Sequence, residues 1–229
     1  MSLEHISRIH ENGLSALQKR EIHPYPGHGE ILRQFFGCAM LFTPQSLALL
    51  QERVLDPIST TAEKLGLGVL VYNTRMNHSS PVHSTLHVGK WTDEEDGREV
   101  AFTELASNLS FFENDVQGRN IVYDFVALDK ANVFIACKEI PSIVSLLRSH
   151  LVDICGVVGV SGTPLPLLHS VVSRITDLPE EEAKKRASLR AYVEAMLVVK
   201  TAIEEKPLVL EVSGLWAGEV YQFLTTGTS

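Results

Sequence analysis

Nine histidines are spread through the 229 residues, and imidazole is the side chain best suited to move a proton at neutral pH, ligate a metal or activate a nucleophile. The densest group is His83-Ser84-Thr85-Leu86-His87. On a helix, His83 and His87 would face one way and could share a zinc ion. Pro81 before the segment, Gly89 after it, and the β-branched Val82, Thr85 and Val88 argue for a strand instead. A strand puts His83, Thr85 and His87 on one face and Ser84, Leu86 and Val88 on the other. Same-face neighbours then stand about 6.6 to 6.8 Å apart, which leaves the two histidines too distant for one metal. What remains is an imidazole beside a hydroxyl, one to move a proton and the other to donate to an anion.

A second segment, Leu167 to Ile175, also reads as a strand, with His169, Val171 and Ser173 on one face. It follows the first by 86 residues, begins His-Ser as the first does, and like it comes after a Pro-containing loop. A duplicated fold would bring His83 and His169 to opposite sides of one cleft. His-x-Ser/Thr triplets also occur at His5 and His78, so the triplet alone is weak. Strand context and duplication single out the pair. For each histidine the bland alternative is a core residue satisfied by hydrogen bonds.

The paired segments His83-Ser84-Thr85-Leu86 and His169-Ser170-Val171-Val172 resemble the two His-x-Thr/Ser-x motifs of the 2H phosphoesterase superfamily, which includes the LigT-type RNA 2′,3′-cyclic phosphodiesterases. The resemblance spans about residues 30–225. It implies hydrolysis of a 2′,3′-cyclic phosphate or a related 2′-linked nucleotide or RNA end, independent of metal and of any cofactor. His83 and His169 would be the catalytic acid and base, and Thr85 would hold a phosphoryl oxygen. Val171 departs from the pattern, because an isopropyl group cannot donate to that oxygen. Ser173, two residues on, is the expected substitute for phosphate binding. Tyr25 and Tyr221 are the candidates to stack on a base. A catalytically impaired nucleotide or RNA-end binding protein is the alternative that Val171 raises. A metal hydrolase using His78, His83 and His87 is the third.

Around these segments the sequence predicts an α+β fold of two pseudo-symmetric lobes, each a largely antiparallel sheet with helices, closing on a central cleft. One larger sheet without duplication fits the same pattern. Apolar spacing over 3–19 predicts a leader helix, and the Pro/Gly run 23–29 a loop. Strands are expected over 35–42, 69–72, 82–88, 121–128, 133–137, 167–175, 208–212 and 219–223, with a hairpin turn at Asp129-Lys130-Ala131-Asn132. Helices are expected from Pro44, capped by Thr43, to Lys64; from Pro141 to Val152; and, behind a capping box at Asp177-Leu178-Pro179-Glu180, to Glu205. Residues 92–99 read as a solvated turn and 156–166 as a loop. The organisation expected is a single domain over 1–229: an extension over 1–29, lobe one over about 30–118 and lobe two over about 119–229.

Composition limits the partner. A net charge of −8 supplies no overall positive field for long duplex nucleic acid, though a small phosphorylated nucleotide or RNA end needs only local donors. Mean hydropathy is +0.07, and no apolar run reaches membrane-spanning length, so no membrane partner is expected. Cys38, Cys137 and Cys155 are an odd number in apolar contexts. Free core thiols in the cytoplasm are the expectation.

Overall fold

A computed structural model of the chain describes residues 35–71, 82–91, 98–129, 132–157, 160–164 and 167–219, with positions 8, 11, 12 and 15 near the start. Most of the expected leader helix, the 23–29 loop, Tyr25, His78 and Tyr221 lie outside the described residues.

The fold is α+β, with two antiparallel sheets. Strand β1 (Phe35–Phe42) leads to helix α1 (Pro44–Leu50), a π-helical turn (Gln51–Leu55) and α2 (Asp56–Leu65). Pro44 sits in the first turn of α1, and the Thr43 hydroxyl accepts the Ser46 N–H, a cap of about 1 kcal/mol. Gly66, with φ 64°, ends α2 in the left-handed conformation that glycine adopts without a Cβ clash. Then come β2 (Gly68–Val71), β3 (Ser84–Trp91), α3 (Arg98–Val116), β4 (Asn120–Tyr123), β5 (Phe125–Asp129) and β6 (Asn132–Ala136). The chain continues through α4 (Ser142–Val157), β7 (Val160–Pro164), β8 (His169–Asp177), α5 (Glu182–Glu205) and β9 (Leu208–Glu219).

One sheet runs β4-β9-β1-β3-β7 and the other β2-β8-β6-β5. Sequence halves and sheets do not coincide. Strand β2 precedes residue 118 but flanks β8, while β7 follows it but flanks β3. Strands β4, β7 and β9, all after residue 118, join β1 and β3 in one sheet, and β2, before it, joins the other, so a boundary near residue 118 does not separate the sheets. One continuous apolar cluster unites the inner faces of both sheets with the helices. A smaller cluster of Phe125, Ala127, Phe134, Ala136 and Leu167 lies apart from it. Strands β5 and β6 alternate residues between these two clusters, so their apolar character is nearly continuous.

Several elements differ from the sequence reading. The expected strand 121–128 is two strands that join different sheets and part at Asp124, whose carboxylate accepts the Lys138 N–H at 2.8 Å. Residues 160–164, expected as loop, form an edge strand, where Pro164 costs no ladder bond. Strand β9 is continuous over 12 residues, joining the expected strand 208–212 to the start of the next. Asp177 ends β8 rather than capping a helix, and its carboxylate accepts the Leu178 N–H. Helix α3 occupies 19 residues to which the sequence reading gives no element. Its apolar residues include Val100 and Phe111, both exposed, which blur the amphipathic stripe. Among the described residues no helix is long and apolar enough to cross a membrane.

Candidate active site

The histidine strands β3 and β8 meet through their serines. Ser84 and Ser170 are both 0% exposed, and their hydroxyls lie 2.6 Å apart. The Tyr123 hydroxyl bonds Ser84 as well, and burial pushes its pKa far up, so it stays a neutral phenol. Each serine is the neighbour of a motif histidine. With consecutive Cα atoms 3.8 Å apart, the contact holds the Cα atoms of His83 and His169 within about 15 Å of each other. His83 and Thr85 are half-buried and alternate with the core residues Ser84 and Leu86; His169 and Val171 likewise alternate with Ser170 and Val172. Both imidazole rows therefore point away from the shared core.

The two strands carry the same irregularity. Along β3, Thr85 pairs with Ala39 and His87 with Cys38, which leaves Leu86 as an extra residue. Along β8, Val171 pairs with Phe134 and Ser173 with Val133, which leaves Val172 as the extra residue. Each bulge falls three residues past its histidine and turns the following side chain over to the core.

This corrects two expectations. His87 does not share a face with His83 and Thr85. It is 0% exposed, and among the described residues neither ring nitrogen has a hydrogen-bond partner. Burial, with the Arg148 cation as the lesser cause, holds its pKa below the ordinary imidazole value. Ser173 does not share a face with His169 either. It is wholly buried beside Tyr192, whose pKa burial pushes up to about 12 while the Ser173 hydroxyl pulls it the other way. In its place the bulge brings Arg174, half-buried, to the side of His169 and Val171. Strict alternation puts Arg174 on the opposite face, and nothing in Val172-Ser173 announces a bulge.

Around His169 the surroundings are apolar on one side. The Phe134 ring meets its edge at 5.3 Å between centroids, and its Nδ1 lies 3.3 Å from the Leu167 carbonyl. Beside Thr85, Ala39 and then Trp216 follow in register across β1 and β9, so all three lie on one face of the sheet. Trp216 is an aromatic the sequence reading passed over. Among the described residues no three His, Cys, Asp or Glu side chains cluster to hold a metal. The cysteines are free and buried. Burial raises all three thiols, Cys155 to about 11, so none offers a thiolate near neutral pH.

No family model matches the sequence, and no curated protein matches it. Solved structures do. The chain is similar to Usb1 of Kluyveromyces marxianus, with 12% identity and a TM-score of 0.46 over 86% of this chain and 96% of that one. Usb1 of the same organism with uridine monophosphate is similar at 13% identity and a TM-score of 0.41, over 87% and 97% of the two chains.

Proposed function

We propose that the chain is a two-histidine phosphodiesterase that opens a 2′,3′-cyclic phosphate, or a related 2′-linked phosphodiester, on a small nucleotide or RNA end without a metal. The observation that carries this reading is the 2.6 Å contact between Ser84 and Ser170, which couples two His-Ser strands with matching bulges. The motif resemblance supports the same chemistry.

In this mechanism one imidazole takes a proton from water as its oxygen attacks phosphorus. The other, protonated, gives its proton to the departing ribose oxygen. The Thr85 hydroxyl donates to a non-bridging oxygen as charge builds there. On the second strand Val171 has no donor, and the Arg174 guanidinium is the group that meets the phosphate. Trp216 offers a base a stacking surface on the Thr85 side. The acidic chain thus needs only a local cation and two imidazoles to recognise its phosphate.

The test is turnover of a 2′,3′-cyclic nucleotide with EDTA present, for the wild type and for His83→Ala and His169→Ala. Each variant is expected to lose at least about 100-fold in kcat. Full activity in either variant, or loss of wild-type activity to the chelator, would overturn the reading. Val171 favours a second reading, a binding protein with little turnover. That reading expects nucleotide binding with no wild-type hydrolysis.

A further inference from the structure

Arg148 lies on α4, only 4% exposed, and its guanidinium reaches β3 and the segment that leads into β8. Its Nη2 donates to the Thr85 carbonyl at 3.0 Å and to the Leu167 carbonyl at 3.1 Å. Thr85 sits two residues past His83, and Leu167 two residues before His169. The Leu167 carbonyl is also 3.3 Å from His169 Nδ1. A carbonyl oxygen can only accept, so this contact is a hydrogen bond when Nδ1 carries the proton. The neutral ring then keeps its lone pair on Nε2.

We propose that Arg148 is a positioning residue for the phosphodiester chemistry. It fixes the Leu167 carbonyl, and through that carbonyl the tautomer and ring orientation of His169. The same guanidinium nitrogen ties that carbonyl to the backbone of Thr85, so the proton-moving group and the phosphate-holding hydroxyl keep a set relation. The inference rests on the reading of His169 as catalytic.

Arginine suits the task and lysine does not. The guanidinium stays charged when buried, and its planar fork directs several N–H groups at fixed angles. An ammonium is a compact donor on a flexible stem and loses its proton readily when desolvated. Phe134 against the ring edge limits rotation from the other side, so the carbonyl contact selects among few orientations. Misplacing a reacting group by about 1 Å costs on the order of 100-fold, which is the scale on which such a support acts.

The first measurement needs no variant of Arg148. Long-range proton–nitrogen spectra of the wild type, with the His169 resonance assigned by its loss in His169→Gln, are expected to show the neutral ring protonated at Nδ1. A ring protonated at Nε2 overturns the proposal. The second measurement uses Arg148→Lys and Arg148→Met. Both are expected to lower kcat about 10- to 100-fold, with KM within about twofold, and to shift His169 toward the Nε2-protonated form. A variant with a native circular dichroism spectrum and unchanged kcat and tautomer overturns the proposal. Were the variants unable to fold, the wild-type spectrum would still decide it. Absence of wild-type turnover would strike at the proposed function instead and leave the tautomer measurement intact.

Discussion

The segments of β3 and β8 are alike in a histidine at their start, His83 just before β3 and His169 the first residue of β8, a buried serine beside it and a bulge two residues past that serine, yet the positions flanking that bulge hold different chemistry. One strand has Thr85, His87 and Val88, the other Val171, Ser173 and Arg174. Of the shared features, the serine faces the core and the bulge shapes the backbone, where a change is felt by every neighbour, while the histidine lies outside the core. The differing features are two half-buried positions and one core position. In the proposed mechanism the matching strands serve one site in unlike ways: a hydroxyl on β3 and a guanidinium on β8.

The sharpest way to break this comparison is to remove the phosphate contact proposed for each strand. Thr85→Val makes β3 copy β8 and is expected to lower kcat/KM for a 2′,3′-cyclic nucleotide about 100- to 1,000-fold, the effect of deleting one transition-state donor. Arg174→Met is expected to cost less, about 10- to 100-fold, because a cation also contributes to ground-state binding and part of its loss appears in KM. Equal and negligible losses would mean that neither residue meets the phosphate.

How much of this was legible in the sequence follows from where the signals are local. Strand β1 was readable to the residue because eight apolar residues end at Thr43-Pro44, and Pro in a first helical turn is a local rule. The histidine strands were readable from β-branched neighbours and repeated His-Ser. The bulges were not, since Leu86-His87 and Val172-Ser173 contain no glycine, and only the cross-strand register reveals the extra residue. That one missing fact misplaced His87, Ser173 and Arg174 together, as any one-residue slip flips every side chain beyond it. Likewise the distribution of β2, β4, β7 and β9 between the sheets is a matter of pairing, which no segment encodes alone.

The core position that differs, His87 against Ser173, separates the strands in a stability measurement. Burial and Arg148 hold His87 below its ordinary value of about 6.5. As pH falls, the unfolded chain therefore takes up this proton before the folded one does. The contribution to stability is intact above about pH 6.5 and declines below it, by up to about 1.4 kcal/mol per pH unit. Urea unfolding at a series of pH values is expected to show that decline in the wild type, and a slope flatter by about one proton in His87→Ser, which copies β8. Parallel slopes would mean that His87 is protonated in the fold.

The smallest expected effect concerns the feature the strands share. Ser84, Ser170 and Tyr123 form one buried group: Ser84 bonds Ser170 and Tyr123, and both serine hydroxyls act on the Tyr123 phenol. Ser84→Ala and Ser170→Ala each remove one corner of this three-hydroxyl group and are each expected to cost about 1 to 2 kcal/mol. The double variant should cost less than the sum by about 0.5 to 1 kcal/mol, since the second alanine removes a group the first had already left unpaired. Additive losses in urea unfolding would show that the hydroxyls do not act as one unit. A coupling of that size, with kcat lowered in both single variants, would mean that the serine contact sets the spacing between the two motif strands as well as their stability.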